Sequence, residues 1–161
     1  PPMFATMKNV NYLPNVLSLL EAEEKGAYTS IWVDDEGYVA EGPNMNVAFV
    51  NQMGELIMPS FDKILSGCTA MRTLALSHQL MASKPQTVQL KGVKTCSIKV
   101  EEGKTAAEMM LIGSGSPIVP VVKWDGQQIG NGNAHTHDIC KCSLQLLIFQ
   151  TSTLGLDCNY L

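Results

Sequence analysis

Two residues in this chain are suited to covalent chemistry: an amine near its start and a carboxylate well inside it. Lys8 lies in Thr-Met-Lys-Asn-Val-Asn-Tyr-Leu (residues 6–13), and Glu41 opens Glu-Gly-Pro-Asn-Met-Asn (residues 41–46). A lysine amine forms a Schiff base with an aldehyde and, once released, moves protons as a general base and acid. A carboxylate set against an aromatic ring nitrogen keeps that nitrogen protonated, so the ring can accept electrons. Neither residue is specific by itself. Most lysines are solvated, and a glutamate before Gly-Pro commonly belongs to a surface turn.

Their context adds an anion site. Ile64-Leu65-Ser66-Gly67-Cys68-Thr69 precedes a helical pattern. A helix N-terminus presents free N–H groups to an anion. Alone, the segment reads as an ordinary glycine turn with a helix cap; beside Lys8 and Glu41 it reads as a phosphate site. Gly113-Ser114-Gly115 offers a hydroxyl between two glycines, where backbone can approach a ligand closely. Asp125-Gly126-Gln127-Gln128-Ile129-Gly130 carries a hairpin signal and reads as structural.

The elements that must position these groups follow from periodicity and punctuation. Pro14 fits the first turn of a helix, with Val16, Leu17, Leu19, Leu20 and Ala22 as its buried stripe, a wet face of Glu21, Glu23, Glu24 and Lys25, and Gly26 as its stop. Tyr28–Val33 reads as a strand, Asp34-Asp35-Glu36-Gly37 as a turn and Tyr38–Ala40 as the return. Asn46–Val50 and Glu55–Met58 read as strands around Met53-Gly54. A second helix is expected over about Ala70–Ala82, with Leu74, Leu76 and Leu80 among its apolar positions and exposed His78, ended by Lys84-Pro85-Gln86. Thr95–Val100 alternates like an edge strand, and Thr105–Glu108 reads as a helical turn. Met109–Ile112 and Val119–Trp124 read as apolar strands, with Gln127–Ile129 closing a hairpin. After Gly132 the character changes. Asn133–Leu161 holds His135, His137, Cys140, Cys142 and Cys158, few charges and an apolar run at Leu144–Phe149. We expect a domain over 1–132 and a divergent, disordered tail over 133–161.

Composition narrows the class. The 161 residues are 45% hydrophobic and 16% charged, which suits a single packed domain. A net charge of −4 without a basic stripe argues against nucleic acid. No apolar run reaches the roughly 18–20 residues that cross a bilayer. Five cysteines without disulfide-like spacing suit a reducing compartment. His135, His137, Cys140 and Cys142 do not have a common zinc-finger spacing, and no metal site is expected. The opening Pro1-Pro2-Met3 reads as a chain whose upstream part is missing.

The Lys8, Glu41, Gly67 and Ser114 segments together resemble the fold-type IV pyridoxal-phosphate enzymes: branched-chain aminotransferases, D-amino-acid aminotransferases and 4-amino-4-deoxychorismate lyase. The likeness runs from about residue 3 to about residue 132 and is nearest to plant D-amino-acid transaminase-like members. It implies an α/β (α+β) fold, the C-terminal domain of the D-amino-acid aminotransferase-like type, with a barrel-like mixed sheet and flanking helices. It implies pyridoxal 5′-phosphate held covalently by Lys8, with Glu41 at the ring nitrogen and Asn46 ordering the loop after Glu41. By the same resemblance Leu65 would pack beneath the ring, the amides of Gly67, Cys68 and Thr69 with Ser114 would take the phosphate, and Ser114 and Gly115 would face the substrate. It further implies transamination between an amino acid (D- or branched-chain) and a 2-oxo acid, no nucleic acid or membrane partner, a homodimer, and a plastid or cytoplasmic setting. Two departures bear on this. Ala70 stands where the family commonly has arginine, leaving Arg72 as a substitute, and the N-terminal domain that completes the pocket is not in the sequence. The alternatives are the related lyase, which would use the same lysine, and a non-catalytic fragment.

Overall fold

The computed structural model describes residues 2–83 and 90–132. Its centre is β1 (Asn46–Val50), a strand whose five residues are all buried. Period-two alternation sends Val47 and Phe49 to one face and Ala48 and Val50 to the other, so both faces must be covered. On the first face Val47 and Phe49 meet Met109, Leu111, Val39, Ile98, Trp124 and Ile129. The Phe49 and Trp124 rings stack at 6.3 Å between centroids. On the second, Ala48 and Val50 meet Leu56, Met58, Met110 and Ile112 beneath Ala70 and Leu74 of a helix. That helix, α3, spans Cys68–Ser83.

β1 pairs antiparallel with β2 (Glu55–Met58) and with β4 (Glu108–Ile112). β2 pairs in parallel with β3 (Gly92–Thr95), and β4 antiparallel with β5 (Val119–Val121), giving a five-stranded mixed sheet in the order β3-β2-β1-β4-β5. The mixed α/β class is as expected. Barrel closure is not found among the described residues: β3 pairs only with β2 and β5 only with β4, so both edges stay open. Pro120 is tolerated because β5 is an edge strand.

Several elements lie where local signals put them. β1 and β2 match the expected strands, and Gly54 takes the left-handed conformation in the turn between them. A short helix α1 (Pro2–Ala5) precedes α2 (Leu13–Glu24), which carries Pro14 in its first turn and Gly26, at φ +71°, just past its end. β6 (Lys123–Trp124) and β7 (Gln127–Gln128) flank Asp125-Gly126, whose positive φ angles make the tight hairpin turn. The segment Val119–Trp124 is therefore two strands rather than one.

Other readings need correction. Tyr28–Val33 is not a regular strand. Only Trp32, Val33 and Asp34 pair across the Asp34–Gly37 turn, through Trp32 N–H to Glu41 O and Asp34 N–H to Tyr38 O at 2.8 Å each. β-forming residues without a partner make no ladder. Thr95–Val100 is not one strand: β3 ends at Thr95, Cys96 N–H still donates to Met58 O at 3.0 Å, Ile98 O accepts from Val39 N–H at 2.8 Å, and Lys99 N–H then donates to the Glu102 carboxylate at 2.9 Å and starts helix α4 (Val100–Lys104). The helical turn is thus earlier than Thr105–Glu108, and Glu108 already belongs to β4. The α2 stripe is not buried. Val16, Leu17 and Leu20 are 44%, 57% and 49% exposed, and only Ala22 is buried, because no described element covers that face. Residues 84–86 and the whole segment 133–161, with its histidines and cysteines, lie outside the described residues. No described helix is long and apolar enough to cross a membrane.

Gly103 explains why α4 escapes a propensity argument. Glycine disfavours helix by about 1 kcal/mol relative to alanine. Here, however, a Cβ would stand 2.9 Å from the Phe49 ring and 3.0 Å from Trp124. We expect Gly103→Val to cost about 1–3 kcal/mol by overpacking, measured as a lowered urea midpoint with unchanged denaturant slope. An unchanged midpoint would contradict this packing.

Candidate functional site

The site forms where β1 begins and β4 ends. Asn46 and Ile112 are register partners, so the loop before β1 and the loop after β4 lie side by side. A Cβ on Gly113 would touch the Met45 side chain at 3.2 Å, which shows how closely the two loops approach. Alternation along β1 also puts Asn46 on the face that carries α3. The N-terminus of α3 therefore opens onto the same end of the sheet.

A cleft of about 430 Å³ lies there, and Lys8, Glu41, Asn46, Leu65, Gly67, Cys68, Thr69 and Ser114 all line it. Residues separated by more than a hundred positions thus come together. Gly115 does not line the cleft, and Arg72 is exposed and also outside it. The substitution of Arg72 for the family's arginine gains no support from its position.

Glu41 is 8% exposed. Its Oε1 accepts from the Leu65 backbone N–H at 3.2 Å, and its Oε2 from Asn46 Nδ2 at 3.1 Å. Among the described residues no lysine or arginine pairs with it. Burial therefore pushes its carboxyl up to about 7, with the Leu65 N–H opposing the rise. A carboxylate held this way is suited to a cationic partner such as a protonated ring nitrogen.

Three residues beyond Leu65, α3 starts at Cys68 with no acidic residue in its first turn. Its first N–H groups have no intrahelical acceptor, and the helix dipole favours negative charge there. Ser114, in the turn closed by Gly113 N–H to Ser116 O, adds an exposed hydroxyl. The donor set fits pyridoxal phosphate: an amine for the aldehyde, a buried carboxyl for the ring nitrogen, and a helix end with a hydroxyl for the phosphate.

Lys8 is exposed on the segment joining α1 to α2. Asn9 stiffens this segment by accepting from Asn11 N–H at 2.9 Å and donating to Met7 O at 3.1 Å. Two residues that sequence reasoning missed fasten it to the Glu41 loop: Tyr12 Oη donates to Pro43 O at 3.2 Å, and Asn15 Nδ2 donates to the same carbonyl. Trp32, half-buried, also lines the cleft. Polar residues at the start of an amphipathic helix carry a weak signal, since solvent exposure explains them equally well. Among the described residues no three His, Cys, Asp or Glu side chains gather around a metal position.

Comparison with known proteins gives concordant results. A family model described as amino-transferase class IV matches residues 1–124. The D-amino-acid transaminase, chloroplastic, of Arabidopsis thaliana is 58% identical over 149 residues, covering 92% of this chain and 38% of that protein. That stretch is longer than 132 residues and so extends into the segment after Gly132, where divergence is expected. A probable branched-chain-amino-acid aminotransferase of Aquifex aeolicus is 34% identical over 122 residues, covering 75% of this chain and 36% of that protein. Among solved structures, the branched-chain amino acid aminotransferase from Thermobaculum terrenum in its PLP form superposes with a TM-score of 0.78 at 25% identity. It covers 95% of this chain and 46% of that one. The chain spans less than half the length of these relatives.

Proposed function

Because the chain belongs to the amino-transferase class IV family, we propose that its cleft is the Lys8–Glu41 part of a pyridoxal-phosphate site in a transaminase. The amino group would pass between an amino acid, of D- or branched-chain type, and a 2-oxo acid. The observation that carries this reading is that Lys8, Glu41 and the N-terminus of α3 open onto one cleft. The names of the relatives support the choice of substrates, and the chloroplastic one supports a plastid.

When bound, pyridoxal phosphate supplies the electron sink that lets an amino acid lose its Cα proton. The chain's own groups would do the rest. Lys8 Nζ would hold the aldehyde carbon, then take and return the Cα proton as general base and acid. Glu41 would keep a proton on the ring nitrogen, favoured because no lysine or arginine among the described residues pairs with the buried carboxyl. The amides of Gly67, Cys68 and Thr69, with the Ser114 hydroxyl, would fix the phosphate, and Leu65 would support the ring face. We further propose that residues 1–132 form the domain that carries these groups. The complete protein would be a homodimer, a reading supported by the exposed apolar face of α2.

Incubating the purified chain with pyridoxal phosphate tests the reading. A yellow, saturable complex that transfers amino groups from D-alanine to 2-oxoglutarate is the expected result. Saturable uptake without any transfer would favour a non-catalytic part of a larger enzyme. A soluble chain with no uptake would remove the proposal.

A further inference from the structure

Beside the direct bond from Leu65 N–H to Glu41 Oε1, one side chain makes a second link between the carboxylate and the anion loop. Asn46 Nδ2 donates to Glu41 Oε2 at 3.1 Å and to Leu65 O at 2.8 Å. An amide nitrogen carries two hydrogens, so both bonds form at once. The Oδ1 of the same residue faces Gly67 so closely that a Cβ on Gly67 would collide with it. Asn46 is 5% exposed and is held at the start of β1 opposite Ile112. The strand end thus carries an amide that touches the buried carboxylate on one side and the anion loop on the other.

We propose that Asn46 is a positioning residue that couples the Glu41 carboxylate to the Leu65–Gly67 anion loop. This rests on reading the cleft as the cofactor site. Asn46 acts through Glu41 and the loop, setting the spacing at which a ring nitrogen and a phosphate are held together. Aspartate could not replace it, since it would offer acceptors to a carboxylate and a carbonyl. Serine has one proton and can satisfy only one of the two. Gly67 belongs to the same device, because any larger residue displaces the Asn46 amide.

The test begins without cofactor. Nuclear magnetic resonance titration of the chain should show the Asn46 side-chain amide moving with the midpoint of Glu41, which the directly bonded Leu65 backbone amide reports in every variant. Lys8, Tyr12 and Cys68 line the same cleft, and their own titrations are separated by following them individually. Gly67→Ala leaves Glu41 untouched yet should raise that midpoint by about one pH unit, the size expected when a charge-assisted hydrogen bond is lost. Asn46→Ser, which keeps Gly67, should do the same and serves if Gly67→Ala unfolds. With ligand, Gly67→Ala should weaken binding of pyridoxal, which lacks the phosphate, by about tenfold. If the midpoint and pyridoxal affinity are unchanged while inorganic phosphate binds less well, the coupling is refuted. A wild-type chain that binds no pyridoxal phosphate would refute the functional reading, while the cofactor-free midpoints would still decide the coupling.

Discussion

Lys8→Ala should abolish covalent capture of pyridoxal phosphate. After borohydride reduction, the wild-type chain is expected to carry about one cofactor per molecule by mass and the variant none. The selectivity has a structural reason. Among the described lysines Lys8 alone lines the cleft, and Lys25, Lys63 and Lys94 are moreover paired with Glu21, Asp34 and Glu55, whose hydrogen bonds hold each ammonium above its usual range. Lys99 Nζ lies 3.9 Å from the centre of the Tyr38 ring, and Lys104 is bonded to Asp125. Lys8 faces the cleft and forms no ion pair with a described residue. Any amino transfer should fall by at least about 10²–10⁴-fold, the contribution of a positioned general base. Noncovalent uptake should fall far less, because Glu41 and the α3 terminus remain. Because Lys8 is exposed, stability should barely change. An adduct of unchanged stoichiometry in the variant would move the anchoring role to another lysine.

The cofactor-free chain should lose stability as pH rises through neutrality, and Glu41→Gln should remove most of that loss. The Glu41 carboxyl titrates near 4.5 when unfolded and at about 7 when folded, because burial disfavours its charged form. Between those values the folded chain binds more protons than the unfolded chain, so stability falls with increasing pH. The change begins near pH 4.5 and is complete above about pH 7, amounting to about 3 kcal/mol. Urea unfolding at pH 5 and pH 8 measures it directly. A wild-type chain no more pH-sensitive than Glu41→Gln would show that the carboxyl is not desolvated in the fold. The direction also bears on function. A protonated ring nitrogen supplies a cation that no described lysine or arginine gives the buried carboxylate, so binding should offset the destabilisation.

The parts of this fold that were legible in the sequence are those set by neighbouring residues. Asn46–Val50 and Glu55–Met58 alternate and flank a Met-Gly turn. Pro14 and Gly26 mark the ends of α2, and Asp125-Gly126 marks a hairpin. α4 was obscured because Gly103 weakens its helical signal, and that glycine is required by Phe49 and Trp124, distant in sequence. The strand expected over Tyr28–Val33 fails for the converse reason: its β-forming residues have too short a partner.

By itself the sequence determined the chemistry on offer: an amine at Lys8, a carboxyl at Glu41, a glycine-led helix start at Gly67 and a hydroxyl at Ser114. Those are properties of residue type and of short-range backbone preference, so they survive without knowledge of the fold. Only the tertiary structure decided that they share one cleft, that Glu41 is buried with no lysine or arginine paired to it among the described residues, and that Asn46 adds a second link from Glu41 to the anion loop. It also decided that the apolar stripe of α2 is exposed, while Tyr12 and Asn15 tie the Lys8 segment to Pro43. Burial and pairing depend on which distant element covers a face, and in this chain the β1–β4 register sets the loops before Asn46 and after Ile112 side by side.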